Sequence, residues 1–111
     1  MKLFSLIIFC LFSLISSPIS ANEPVWRGWD KIKILYPAQN GLTLIMNTVP
    51  STYSTCEDGR RYILLPTTPN YEVIASGLMS AFYMNKTINL ATDPATTNCA
   101  AVINRVQIVH S

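Results

Sequence analysis

Two tryptophans, Trp26 and Trp29, lie within four residues of each other, and they are the only tryptophans in the chain. An indole ring combines a large apolar area with one hydrogen-bond donor, so it can stack on a sugar ring or on a neighbouring subunit. The same two rings could instead close one end of a small barrel, and the sequence leaves both interpretations open. Tyr53, in a loop before Cys56, is the third aromatic candidate for a ligand or partner surface.

The charged residues include a candidate anion-binding pair but no arrangement that is typical of a catalytic site. Arg60 and Arg61 could hold a carboxylate or phosphate through bidentate hydrogen bonds, although two arginines at the start of a strand commonly form a solvated edge. Glu57 and Asp58 are consecutive and would point apart along an extended chain, which does not suit a pair of catalytic carboxylates. His110 is next to last, where a buried, oriented catalytic histidine is not expected. We predict no enzymatic activity, no metal site and no cofactor.

The first 21 residues have the pattern of an export signal. Lys2 is followed by thirteen uncharged residues, and the segment then continues with small residues up to Ala21. The apolar run is shorter than the roughly 20 residues that cross a bilayer, so it predicts a cleaved signal peptide rather than a membrane anchor. We expect residues 22–111 to form one small disulfide-bonded domain that is secreted or periplasmic.

Two cysteines, Cys56 and Cys99, follow this segment. An even pair in an exported chain predicts a disulfide. A metal site is the weaker alternative, because the chain has one histidine and the two cysteines are far apart in sequence. A bridge that closes a loop of this length is expected to stabilise the fold by about 4 kcal/mol in the chain-entropy model.

The composition excludes two classes of protein. Half of the 111 residues are hydrophobic and 13% are charged, which is too apolar for an intrinsically disordered chain. Eight basic residues stand against six acidic ones, a balance that lacks the basic surplus of a nucleic-acid-binding protein. Nucleic acid is therefore not an expected partner, and neither is a membrane once the signal has been removed.

Alternating apolar residues predict five strands. In the first strand Ile32, Ile34 and Tyr36 are expected to face inward, and a tight turn at Asn40-Gly41 leads into the second. In the fourth strand Ile88 and Leu90 face inward, and the Asp93-Pro94 pair is expected to end it. A bulge is expected near Ile103 in the fifth. The predicted strands cover residues 31–36, 42–46, 61–65, 87–92 and 101–109.

One helix is predicted between the third and fourth strands, from a capping Asn70 to about Met84. Gly77 inside it is most simply explained by close packing on a strand. Asn85 begins a possible N-glycosylation sequence, or it simply ends the helix. The apolar residues Tyr71, Ile74, Ala75, Leu78, Ala81 and Phe82 recur at spacings of three and four and form one stripe.

The opposite side of this helix carries Ser76, Ser80 and Tyr83. Glu72 is its only acid, and no base occurs before Lys86. A solvated helix of a monomer usually alternates charges on that side, whereas the core of an interface is depleted in charge. We therefore predict that this helix face contacts another subunit.

The order β-β-β-α-β-β matches the five-stranded OB barrel. In that barrel the third and fifth strands are parallel neighbours, so Cys56 and Cys99, each just before one of them, would lie close together. An open α+β sheet with the helix packed on one face uses the same elements and is the alternative fold.

The chain resembles the secreted OB-fold B subunits of bacterial AB5 toxins, specifically the small proteins similar to the subtilase cytotoxin B subunit. The resemblance rests on the export signal, the placement of Cys56 and Cys99, and the stretch from Asn70 to Leu90, where a helix passes directly into a strand. It implies a non-catalytic subunit that forms a ring, often a pentamer, and binds cell-surface glycans. No glycan-contacting residue of the family matches a position here, so no site residue is carried over.

The leading hypothesis is therefore a secreted or periplasmic binding module, without catalytic activity, that recognises a glycan or a protein partner. One alternative is a small envelope protein with an accessory or structural role and no ligand. Another is an inhibitor of a secreted hydrolase, which would use the loop from Thr48 to Gly59.

Overall fold

The computed structural model describes residues 25–110, so the predicted export signal, residues 1–21, lies outside the described residues. The fold is mainly β with one helix, as predicted, and no described helix is long and apolar enough to cross a membrane. The helix α1 (Tyr71–Tyr83) lies between the fourth and fifth strands in sequence, and a single 3-10 turn covers Glu57–Gly59. The strands are β1 (Val25–Asp30), β2 (Ile32–Ala38), β3 (Gly41–Met46), β4 (Arg61–Leu64), β5 (Ile88–Thr97) and β6 (Ala100–Ile108).

The six strands form one mixed sheet in the order β1-β5-β6-β4-β3-β2. All neighbours are antiparallel except β4 and β6, which are parallel. These two strands are the predicted third and fifth, so their predicted parallel pairing is confirmed. The predicted closed barrel is wrong, because within residues 25–110 no pairing joins β1 to β2 and the sheet remains open.

The open sheet is nevertheless strongly curled. β1 and β2 stand at opposite edges of the sheet, yet only Lys31 separates them in the chain. Six strands laid flat would put those edges about 24 Å apart. One intervening residue allows at most about 7 Å between the Cα atoms of Asp30 and Ile32. The two edges therefore meet at this corner without pairing.

β2 does not follow the predicted alternation. Ile32 is buried, but Ile34 is 42% exposed, and Leu35 packs against the core instead. The register with β3 shifts between Ile32 and Ile34, so Lys33 is an extra residue in the ladder. A one-residue bulge exchanges the two faces of a strand, which a strict alternation rule cannot anticipate.

Strand structure extends further than the sequence predicted at two places. β1 contains both tryptophans, and β5 continues through Asp93 and Pro94 to Thr97. Within the described residues the pairing of β1 with β5 ends at Thr92, so Pro94 lies beyond that ladder. The extension lengthens β5 beside the start of β6.

The main core lies between the sheet and α1. The predicted helix stripe is confirmed, since Ala75, Leu78 and Ala81 are buried and the other members of the stripe pack partly against the core. Gly77 lies on β6 as predicted, because a Cβ there would stand 3.3 Å from Cδ1 of Ile108. The fully buried side chains at the centre include Leu44, Tyr62, Leu64, Ile88, Leu90 and Ile103.

Asn70 precedes the helix at the N-cap position, but the predicted side-chain cap is absent. Its backbone is left-handed, with φ of 62°, and its side chain makes no capping hydrogen bond. The backbone carbonyl of Asn70 instead accepts a hydrogen bond of 3.0 Å from the N–H of Ile74. The residue therefore turns the chain into the helix by its conformation rather than by its amide group.

The predicted disulfide between Cys56 and Cys99 is present, with the two Cα atoms 5.3 Å apart. It joins the segments that lead into β4 and β6, the parallel pair. The carbonyl of Cys99 also accepts hydrogen bonds from the N–H of Thr55 at 2.9 Å and the hydroxyl of Ser54 at 3.0 Å. The loop before β4 is thus fixed to β6 by covalent and hydrogen bonds together.

Asp30 fixes the corner where the edges of the sheet meet. Its buried carboxylate accepts hydrogen bonds from the backbone N–H groups of Lys31 at 2.8 Å, Thr48 at 2.6 Å and Val49 at 2.8 Å. Burial alone would raise the pKa of Asp30, but these hydrogen bonds outweigh it and hold the pKa below its ordinary value of 3.8. The carboxylate therefore stays ionised at neutral pH and ties the corner to the loop after β3.

Tyr62 holds the same loop from the other side. Its hydroxyl donates a 3.0 Å hydrogen bond to the carbonyl of Val49, whose N–H is bound to Asp30. Burial raises the pKa of Tyr62 to about 12; the positive charge of Arg27 lowers it, and the charge of Asp30 raises it further. The phenol therefore stays neutral and remains a donor.

Replacing Asp30→Asn should lower the free energy of unfolding at neutral pH by about 2 kcal/mol, because an amide presents an N–H group to backbone N–H groups. The pKa of Asp30 is lowered by folding, so its stabilisation is complete above the unfolded-state pKa and is lost as the pH falls through the folded-state pKa. Urea unfolding at a series of pH values should show the two proteins converging as the pH falls below the ordinary carboxyl pKa of 3.8.

Asp58→Asn is the control for this prediction. The side chain of Asp58 is 95% exposed, and its ion pair with Arg60 is long at 3.8 Å, so this change should leave the unfolding midpoint nearly unchanged. Equal midpoints for Asp30→Asn and the unchanged protein at neutral pH would contradict the role assigned to the buried carboxylate.

Candidate functional site

A bulge in β1 brings the two tryptophans to the same face of the sheet. Trp26 pairs with Ala91 and Trp29 pairs with Asn89. The two tryptophans are therefore three residues apart in β1, whereas their partners are two residues apart in β5. Directly paired residues of antiparallel strands share a face, and so do residues two apart in one strand. Gly28 supplies the positive φ of 112° inside the bulge. Without the bulge, residues three apart would point to opposite faces.

Asn89 holds this bulge in place. Its side-chain oxygen accepts a 2.8 Å hydrogen bond from the N–H of Gly28, and its amide nitrogen donates to Gln107 at 3.4 Å. Asn89 is only 9% exposed, so these bonds satisfy an amide that is nearly buried. Hydrogen bonds to β5 and β6 thus fix the position of Trp29. Neither tryptophan closes an end of the sheet as a buried side chain, because Trp26 is 40% exposed and Trp29 is 49% exposed.

Trp26 lines one end of a cleft of about 840 Å³, and this end is called the mouth below. One wall is the first half of α1 with the connection that leads to it, and the other is β6. The volume lies within the range of about 300 to 1,000 Å³ that is typical of small-ligand sites. The apolar lining consists of Leu65, Pro69, Val73, Ile74, Gly77, Val102, Val106 and Ile108, and the polar lining includes Thr67, Thr68, Asn70, Asp93, Asn104 and Arg105.

A second bulge places polar groups beside Trp26. Ala91 pairs with Arg105 and Thr92 pairs with Ile103, so Asn104 is the extra residue, next to the predicted bulge position at Ile103. The Nδ2 of Asn104 donates a 2.7 Å hydrogen bond to Oδ1 of Asp93. Because Ala91 pairs with Trp26 on one side and Arg105 on the other, the indole and the exposed guanidinium share a face of the sheet.

This arrangement suits a ligand that is rich in hydroxyl groups. The hydrogen bond from Asn104 uses one oxygen of the Asp93 carboxylate, and a carboxylate has several further acceptor positions. The amide of Asn104 offers a carbonyl acceptor, and Arg105 offers donors. Beside these groups, the half-exposed ring of Trp26 provides a flat apolar surface.

The two predicted arginines do not join this cleft. Arg60 donates to the backbone carbonyls of Glu57 at 3.1 Å and Asn47 at 2.9 Å, while Arg61 pairs with the Glu57 carboxylate at 3.6 Å. Arg61 also lies 3.8 Å from Sγ of Cys99. Both guanidinium groups thus hold the loop around the disulfide.

Tyr53 lies in the same loop and packs partly against the main core. Its N–H donates to the hydroxyl of Ser51 at 3.1 Å, and its carbonyl accepts a hydrogen bond from the hydroxyl of Thr96. Of the five residues predicted for a ligand or partner surface, Trp26 lines the cleft, whereas Trp29, Tyr53, Arg60 and Arg61 do not.

The helix face predicted to meet another subunit is exposed. Ser76 and Ser80 lie on the solvent side of α1, and Tyr83 is 82% exposed. Further exposed apolar residues surround them: Val73, Met79 and Met84. This side of the helix thus presents apolar and hydroxyl groups together with one acid, Glu72.

The groups considered for catalysis stay apart. His110 is exposed, and its backbone carbonyl accepts a hydrogen bond from the side chain of Lys86. Within residues 25–110, no three His, Cys, Asp or Glu side chains are grouped closely enough to hold a metal ion.

The sequence signals did not identify Asp93, Asn104 and Arg105 as site residues. Asp93-Pro94 indicated a turn, and Asn104 indicated only an interruption in the alternation of β6. The two residues become partners because β5 continues past Thr92 while β6 bulges opposite it. A single sequence does not encode that register in any local pattern.

The chain matches no protein-family model, and no curated protein or solved structure is measurably similar to it.

Replacing Gly28→Ala should lower the free energy of unfolding by about 1 to 2 kcal/mol, the conformational penalty of an L side chain at positive φ. Nothing lies within 4 Å of the position that the Cβ would take, so the penalty is not steric. Tryptophan fluorescence should also change as the bulge relaxes and Trp29 moves. Urea unfolding followed by fluorescence measures both effects.

Gly77→Ala is the matched control, because Gly77 is helical and gains up to about 1 kcal/mol of helix propensity. The new methyl group requires a shift of only a few tenths of an ångström in the mobile end of Ile108. If both alanine variants unfold at the midpoint of the unchanged protein, the bulge at Gly28 is not held by its backbone conformation.

Proposed function

We propose that the chain is an exported, non-catalytic binding module that recognises a glycan in the cleft beside Trp26. The observation that carries this proposal is the placement of the indole next to the hydrogen-bonded Asp93 and Asn104 at the cleft mouth. A sugar ring has apolar C–H faces and a rim of hydroxyl groups. It therefore complements an aromatic ring flanked by carboxylate, amide and guanidinium groups.

An extracytosolic location supports this proposal. The disulfide between Cys56 and Cys99 joins the segments that precede β4 and β6, and such bonds persist mainly in oxidising compartments. The predicted export signal leads to the same compartment, and glycans of cell surfaces and envelopes are accessible there. The resemblance to toxin B subunits, which bind cell-surface glycans, points in the same direction.

We also propose that β1 and β2 are the two halves of one bent strand of an OB-like sheet. Two observations support it. The halves are separated only by Lys31 although they occupy the two edges of the sheet, and β4 and β6 are parallel neighbours. In this description the sheet is an OB arrangement that lacks hydrogen-bonded closure at the corner.

A glycan array with the purified, oxidised protein tests the function. Among glycans that bind, Trp26→Ala should weaken the affinity about tenfold or more, equivalent to 1.4 kcal/mol, because the stacking surface is lost. Isothermal titration calorimetry with the best array ligand then measures the change.

Trp29→Ala is the matched control, since it removes a more exposed indole from the same strand and the same face but does not line the cleft. This variant should keep most of the affinity. Equal losses in the two variants would place the ligand on the open face rather than in the cleft. An array without binding, together with a monomeric protein, would refute the proposal and favour the accessory or structural role.

We also propose that a second copy of the chain packs on the exposed side of α1, around Ser76, Ser80 and Tyr83. Among the described residues this side combines exposed apolar groups with a single charge, that of Glu72. Interface cores are depleted in charge and enriched in Tyr and Met. The ring of five that the family resemblance implies is one arrangement that would use this face.

Ser80→Glu should dissociate the assembly, because it places a charge at the centre of the proposed contact. Sedimentation velocity should show the wild type as an oligomer and the variant at a lower mass. Gln39→Glu introduces the same charge at an exposed turn between β2 and β3 and should leave the mass unchanged. An oligomer that survives Ser80→Glu would remove α1 from the interface.

A further inference from the structure

The cleft beside Trp26 changes character along its length. At its mouth lie Trp26, Asp93, Asn104 and Arg105, which supply the aromatic ring and the hydrogen-bonding groups. Toward the middle of α1, the lining becomes aliphatic. The residues of this inner end are Val73, Ile74, Gly77, Val106 and Ile108.

The aliphatic end borders the main core but is only partly buried. Val73 is 72% exposed and Ile108 is 42% exposed, while Ile74 and Val106 are half-buried. Exposed aliphatic groups that converge on one concave space leave apolar area in contact with water, and an apolar ligand group would remove it. A sugar ring alone would not, because its hydroxyl groups would face side chains without hydrogen-bonding capacity.

Gly77 marks the limit of this end. It lies in the middle of α1, opposite Ile108, and a Cβ there would stand 3.3 Å from Cδ1 of Ile108, so helix and strand approach closely at this point. Any larger residue would extend from the helix toward β6 at this point. The position therefore determines how far a ligand can reach along the cleft.

We propose that the ligand is a glycoside with an apolar aglycone, whose sugar lies at the mouth and whose apolar part lies between α1 and β6. This inference rests on the proposed glycan function and adds the chemical class of the group attached to the sugar. The continuity of one cleft from a polar, aromatic mouth to an aliphatic end is the observation that carries it. A free fatty chain fits less well, since it would leave the groups around Asp93 and Asn104 without a partner.

The probes are alkyl glycosides of glucose, galactose and N-acetylglucosamine with methyl, butyl and hexyl chains, used below their micellar concentrations. Each methylene that becomes buried should strengthen binding about fourfold. The hexyl glycoside of the preferred sugar should therefore bind at least about tenfold more tightly than the methyl glycoside. Titration calorimetry and the chemical shifts of the Val73 and Ile108 methyl groups report affinity and location.

Val73→Asp places a charge at the aliphatic end and should abolish the difference in affinity between the methyl and hexyl glycosides. Gln39→Asp is the control for the added charge: Gln39 lies at an exposed turn between β2 and β3 and does not line the cleft. It should leave both affinities unchanged. Circular dichroism verifies that both variants remain folded.

The outcomes separate the two proposals. Equal affinity for methyl and hexyl glycosides, with both lost in Trp26→Ala, would overturn the aglycone site and leave the glycan function standing. Binding of hexyl chains that is indifferent to the sugar and to Trp26→Ala would overturn the glycan function and this inference with it. No binding of any hexyl glycoside at millimolar concentration would overturn the inference, whatever the glycan array shows.

Discussion

The shape of the molecule depends on one corner, where a single residue connects the two edge strands of the sheet. Lys31 separates β1 from β2, although four other strands lie between them in the sheet order. The buried carboxylate of Asp30 stabilises the corner through three backbone N–H groups, two of them from the loop after β3. A buried charge is unfavourable unless it is compensated, and here backbone dipoles provide the compensation instead of a basic side chain.

The corner determines where the loop after β3 and the disulfide lie. The curl of the sheet brings the loop after β3 within hydrogen-bonding distance of Asp30 and Tyr62. The same loop continues to Cys56, which forms the disulfide with Cys99. That covalent link holds the entries of β4 and β6, which pair over only two residues in parallel. So short a ladder would be weak alone, and the bridge together with the hydrogen bonds to the Cys99 carbonyl supports it. Arg60 and Arg61 belong to this structural assembly.

Within residues 25–110, β6 has no neighbouring strand on that side beyond the short parallel ladder. There α1 and its preceding connection form the other wall of the cleft. Irregular positions of the sheet supply the side chains at the mouth of the cleft. The bulge at Gly28 turns both tryptophans to one face, and the bulge at Asn104 aims an amide at Asp93. Bulges commonly re-aim side chains next to functional sites. The regular strands supply the stability, and the irregular positions supply the groups that could bind a ligand.

The sequence by itself determined the helix and its buried stripe, the central strands, the parallel neighbours and the disulfide. These features follow from local periodicity, turn residues and the pairing of two cysteines in an exported chain. Only the tertiary structure decided the face of Ile34, the strand character of the Trp26 segment and the partnership of Asp93 with Asn104. The physical reason is that a bulge inserts one residue and reverses the alternation. A local residue such as Gly28 permits a bulge, but its position also depends on bonds to distant strands, such as that from Gly28 to Asn89.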